Sequence, residues 1–79
     1  MSFIKFTFKN NSYAIGRLFS KIGKDNWANI EIVKPYNGRN ETLKKYYTKG
    51  RTFQADTSST SDYVKTAFID PKSHPEYFI

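Results

Sequence analysis

The chain has 79 residues, carries +6 at neutral pH from 13 Lys and Arg against 7 Asp and Glu, and contains one His and no Cys. A chain this short forms one small domain that buries only about 60% of its extended surface, so its folding is marginal. The composition excludes disulfides, thiolate nucleophiles, Cys-ligated zinc and His clusters, and points to a basic binding module rather than an enzyme.

Residues 3–9 alternate, with Ile4, Phe6 and Phe8 on one face and Lys5, Thr7 and Lys9 on the other, which predicts a half-buried strand. Asn10-Asn11 tolerates positive φ and predicts a hairpin. Residues 13–22 admit two readings. As a helix they have Ser12 as N-cap, Ile15, Leu18, Phe19 and Ile22 at helical spacing, and Gly23 as a stop. As a strand they set Ala14, Gly16, Leu18, Ser20 and Ile22 on one face, with Gly16 marking a bend or bulge. Gly16 costs a helix interior roughly 1 kcal/mol relative to Ala, and the Asn-Asn turn favours an immediate return strand. The balance goes to the strand.

Residues 27–34 alternate again, with Ile30 and Ile32 inward, Asn29 and Glu31 outward, and Trp27 expected in the core. Pro35-Tyr36-Asn37-Gly38 is a turn signal. Residues 42–48 and 51–55 read as two strands around Lys49-Gly50, and residues 56–61 as a polar linker. Residues 62–69 read as a last strand, or as a short helix capped by Ser61 and stopped before Pro71. Beyond them an irregular tail is expected, with Tyr77, Phe78 and Ile79 docking back on the body. The triplets Asn10-Asn11-Ser12 and Asn40-Glu41-Thr42 are read as turn chemistry. The expected architecture is mainly β, a small, partly open barrel of about five strands in a single domain, 1–79. The alternative is an α+β order, β-α-β-β-β-α, if residues 13–22 and 62–69 are helices. The opening residues have no secretory apolar run, and no stretch approaches the ~20 apolar residues of a membrane span. A cytoplasmic protein without membrane contact is expected.

Charge is spread unevenly. Residues 1–54 carry 11 basic and 3 acidic side chains, a net +8, and residues 55–79 carry −2. A surface built for solubility alone mixes the signs, so the basic part is the place to look for a polyanion. The densest candidate is Lys44-Lys45-Tyr46-Tyr47-Thr48-Lys49-Gly50-Arg51, because cations neutralise phosphates and aromatic rings stack on unpaired bases. As a strand it would pair Lys44 with Tyr46 on one face and Lys45 with Tyr47 on the other. A second group is Arg17, Lys21, Lys24 and Trp27; as a strand, Arg17 and Lys21 share a face with Phe19 between them, and the alternative to a core placement makes Trp27 a stacking platform. Arg39 is expected to be exposed and to assist Lys34. Clustered carboxylates, which two-metal nuclease chemistry needs, are missing, as is a glycine loop before Lys-Ser/Thr. Neither a cofactor nor a metal is expected.

Ile4 to Asn11, then Gly16-Arg17-Leu18, then Asn29-Ile30-Glu31-Ile32 resembles the first motif of Sm-like proteins, small barrels of SH3 type. Tyr47-Thr48-Lys49-Gly50-Arg51 is similar to that family's second motif, where a basic residue and a glycine touch RNA. The resemblance spans residues 4–51 and implies contact roles for Asn29, Lys49 and Gly50. It lacks the acidic residue that the family sets before the Asn, and its Gly16-to-Asn29 interval is longer. The whole chain also resembles the small, basic, Lys/Asn/Tyr/Phe-rich early proteins of T4-like phages, which implies a role against a host defence factor such as an RNA-cleaving toxin. The partners expected are RNA or single-stranded nucleic acid and a host toxin or defence protein. The alternative is a protein-binding inhibitor whose basic face docks on an acidic host protein. Self-association is also open, since a second copy would bury aromatic surface that a short chain leaves exposed.

Overall fold

The computed structural model describes residues 2–23, 26–58 and 64–78. The protein is mainly β: strands β1 (Ser2–Phe8), β2 (Tyr13–Lys21), β3 (Trp27–Lys34), β4 (Thr52–Asp56) and β5 (Val64–Ile69) form an open antiparallel sheet in the order β4-β3-β2-β1-β5. One short helix, α1 (Glu41–Tyr46), precedes β4, and a 3₁₀ turn, Pro75–Phe78, follows β5.

The alternation of β1 is realised as expected, with Ile4, Phe6 and Phe8 buried. Asn11 takes φ 63°, and Phe8 and the turn exchange backbone bonds, Phe8 N–H to Ser12 and Asn11 N–H to Phe8. That hairpin sends the chain straight back as β2, so residues 13–21 are a strand and the helical reading fails. Gly16 lies where a Cβ would run into Ile30, which explains a glycine at the sheet's centre. Beside it the β2–β3 register slips, Ile15 facing Lys34 but Gly16 facing Ile32, so Val33 is looped out. A second slip, from Leu18–Ile30 to Ser20–Asn29, loops out Phe19. Such bulges sharpen the local twist.

The expected strand at 42–48 is replaced by α1. Asn40 caps it, its Oδ1 accepting from Leu43 N–H at 3.1 Å, with Glu41 in the first turn and Lys44 and Lys45 in the last. Acid at the N-terminus and base at the C-terminus both match the helix dipole. The helix sets Leu43, and Tyr47 just beyond it, against the inner face of the sheet, where Phe6, Phe8, Ala28, Ile30, Ile32 and Tyr36 form the core. Gly38 lets the buried Tyr36 ring pass, since its hydroxyl occupies the space of a Cβ.

The sheet curls so that its edge strands approach at one corner. Thr66 Oγ1 on β5 donates to the Thr57 carbonyl just after β4 at 3.0 Å, and Thr57 donates by N–H and Oγ1 to the Asn26 carbonyl. The tail crosses the opposite, outer face: Phe78 packs edge-on against Phe3, and Tyr77 meets Tyr13. Ile15 is fully buried on that face although it stands apart from the inner core. Of the expected linker, Asp56 belongs to β4 and residues 57–58 form a turn, while residues 59–61 lie outside the described residues. Residues 62 and 63, part of the expected last element, and Ile79, expected to dock, lie outside them as well. Among the described residues no helix is long and apolar enough to cross a membrane.

Candidate nucleic-acid interface

The helical path of residues 41–46 changes which basic and aromatic residues meet. Tyr46 and Tyr47 do not alternate across a strand. Tyr47 turns inward, its ring 5.0 Å from Phe8 and 5.7 Å from both Phe6 and Phe53. Burial pushes its phenol above the ordinary value, with Tyr46 adding to the rise and Arg51 opposing it. Tyr46 stays 38% exposed, edged by Tyr47 and Phe53.

Arg51 is stacked on Tyr46. Its guanidinium carbon lies 4.1 Å from the ring centroid, and Nη1 donates to the Tyr46 carbonyl at 3.0 Å. The turn that brings it back uses Gly50 at φ 88°, a conformation that a side chain would strain, and Gly50 N–H donates to Ile32. Lys44, Lys45 and Lys49 are exposed around the same helix end and turn. Four cations and an aromatic platform therefore gather within eight residues of sequence.

Beside the platform runs a groove of about 290 Å³, walled by Trp27, Tyr46, Phe53, Gln54, Asp56 and Thr66. Trp27, expected in the core, is 44% exposed at the first position of β3. It also borders a smaller hollow of about 120 Å³ that contains Lys21 and Phe68. Phe68 pairs with Ile4 and so shares the inner face, but α1 does not reach it and it is 59% exposed. Asp56 accepts from Ser58 N–H and Oγ at 2.9 and 2.8 Å, and the hydroxyl bond above all holds its carboxyl below the usual range.

Of the other expected residues, Lys21 reaches the smaller hollow beside Trp27 and the rest do not join this cluster. Arg17 faces Glu31 across β2–β3, its Nη2 and Nε donating to Oε1 at 2.7 and 3.1 Å, so an acid stands beside its charge. Looping out of Phe19 ends the expected shared face with Lys21. Asn29 donates to Ser20 Oγ at 2.7 Å, and Lys34 lies on the outer face under the tail. Arg39 is exposed beside Asn10 and Asn11, and Lys24 lies outside the described residues. Sequence reasoning missed Phe53, Gln54 and the exposed Phe68, and favoured the core over a stacking role for Trp27, because the groove forms only when β4 and β5 approach the same corner. Another hollow, about 450 Å³ between the β1–β2 turn and α1, is bordered by one cation, Lys9.

Among the described residues no group of three or more His, Asp or Glu is placed to hold a metal ion. Compared with known protein families, with curated proteins and with solved structures, the chain matches none.

Proposed function

We propose that the chain binds single-stranded RNA, or single-stranded nucleic acid of similar chemistry, in the groove beside Tyr46. The observation that carries this is the Tyr46–Arg51 stack, set among Lys44, Lys45 and Lys49 beside a groove that the exposed Trp27 also lines. Cations track a phosphate chain and release its counterions, while exposed rings offer stacking worth about 1–3 kcal/mol per base. Gln54 supplies a donor and an acceptor at the groove's edge, where a base presents both. The wider role consistent with the resemblance to phage early proteins is a cytoplasmic, non-catalytic antagonist of an RNA-cleaving host defence toxin, with RNA as bridge or competitor.

Trp27 is the chain's one Trp and reports the groove directly. Titration with oligouridine should quench or shift its fluorescence, with log affinity falling linearly against log salt. An unchanged Trp27 signal and no gel shift at low salt would reject RNA and transfer the basic surface to an acidic protein partner.

A further inference from the structure

The 3₁₀ turn covers cations as well as apolar surface. Lys5 Nζ donates to the Tyr77 hydroxyl at 2.8 Å and lies 4.8 Å from the Tyr77 centroid and 5.1 Å from that of Tyr13. Lys34 Nζ stands 5.4 and 5.9 Å from the Tyr13 and Tyr77 rings and donates to the Glu76 carbonyl at 3.3 Å. The two rings meet edge to face with centroids 5.0 Å apart. Lys5 comes from β1, Tyr13 from β2 and Lys34 from β3, so three neighbouring strands converge on one spot. Among the described residues neither lysine forms an ion pair; the pairs there are Arg17–Glu31 and His74–Glu76.

The two ammonium groups and the Tyr13 ring are groups that a nucleotide's phosphate and base would engage. The Tyr77 ring fills the position of a base against Tyr13 between two ammonium groups. The Tyr77 hydroxyl and the Glu76 carbonyl accept from the lysines as sugar or phosphate oxygens would. No residue of the 3₁₀ turn is fully buried, and its ring contacts with the sheet are edge contacts, Phe78 on Phe3 and Tyr77 on Tyr13. Segments with few buried contacts open at low free energy.

We infer that residues 70–78 form a strap occupying a second single-strand nucleic-acid site on the outer face of the sheet, built from Lys5, Tyr13 and Lys34, and that the ligand enters by displacing the strap. This site lies on the opposite face from the Tyr46 groove and stands whether or not that groove binds RNA.

The test uses the full chain carrying Phe3→Cys and Phe78→Cys, which has no other thiol. Oxidation fixes the strap and reduction frees it. Fluorescein-labelled oligouridine of about ten nucleotides, a length within single-strand site sizes, reports total binding by anisotropy across a salt series, and Trp27 fluorescence reports the groove. The reduced protein should show a log–log salt slope steeper by about 1.4, since each added phosphate contact contributes about 0.7 for single strands. Adding Lys5→Ala and Lys34→Ala should erase that difference and leave the Trp27 response alone. Equal slopes in the two redox forms overturn the proposal. Should the thiols fail to pair, Tyr77→Ala in the otherwise native chain must steepen the slope by itself, and an unchanged slope there overturns it too. A silent Trp27 with a redox-dependent slope would reject the groove and keep the strap; no binding at any salt rejects both.

Discussion

The Arg51 guanidinium carbon sits 4.1 Å from the Tyr46 ring centroid while Nη1 also donates to the Tyr46 carbonyl. One side chain thereby fixes the ring, closes the turn after α1 and places a charge at the groove's rim. A lysine could bring a charge near the ring or donate to the carbonyl, but its ammonium lacks the planar fork that does both while lying on the ring.

Arg51→Lys is therefore expected to weaken RNA binding by about 0.5–2 kcal/mol through the lost stack, with the salt slope unchanged. Arg51→Ala should lose that amount and also flatten the slope by about 0.7. Anisotropy titrations at several salt concentrations separate the two, and a lysine variant that binds like the native chain would reduce Arg51 to a point charge.

Tyr46→Ala and Tyr47→Ala should fail in different ways. The first removes an exposed ring and is expected to cost about 1–3 kcal/mol of binding per stacked base while the fold persists. The second empties a site shared with Phe6, Phe8 and Phe53, a change worth about 3–5 kcal/mol, against a total stability of about 5–15 kcal/mol. Urea melts and RNA titrations of both variants decide the matter. Equal loss of stability in the two would contradict the helical placement of Tyr46.

The raised Tyr47 phenol gives an alkaline signature. Unfolded tyrosine ionises near 10.0 and the folded one only above it. This contribution to stability is therefore complete below 10 and declines as pH climbs through that value toward the folded one. Tyr47→Phe should flatten the fall of the urea midpoint as pH rises above about 10, the ordinary tyrosine value. An equally steep fall in the Phe variant would assign it to other tyrosines.

Gly16→Ala tests the sheet's centre. The added methyl meets the Ile30 side chain, with Phe6 and Ile4 close behind, and overpacking of this kind costs about 1–3 kcal/mol. A thermal melt should show the loss; an unchanged midpoint would mean that Ile30 moves aside freely.

Much of the sheet was legible because β1 and β3 each bury one face, and a buried face writes a period of two into the residues. The helix was misread although its signals were present. Leu43 and Tyr47 are four apart and both pack on the core, Asn40 precedes an acid, and two lysines close the last turn. Thr42, Tyr46 and Tyr47 suit strands just as well, and in so short a segment propensity outweighed the cap. Trp27 was misplaced for another reason. Its exposure depends on where β4 ends and how closely β5 approaches, and neither is local to residues 26–28. The Arg17–Glu31 pair depends likewise on the two slips in register, which alternation alone cannot reveal.

The strand order also shapes how the chain reaches this state. β1 sits between β2, its immediate neighbour in sequence, and β5, from the far end of the described chain. Until β5 arrives, one edge of β1 offers unpaired amides next to Ile4, Phe6 and Phe8, an invitation to pair with another chain. Sheets closed by such distant contacts form slowly. During synthesis the protein should therefore be most exposed to aggregation in the interval between completing β4 and adding β5.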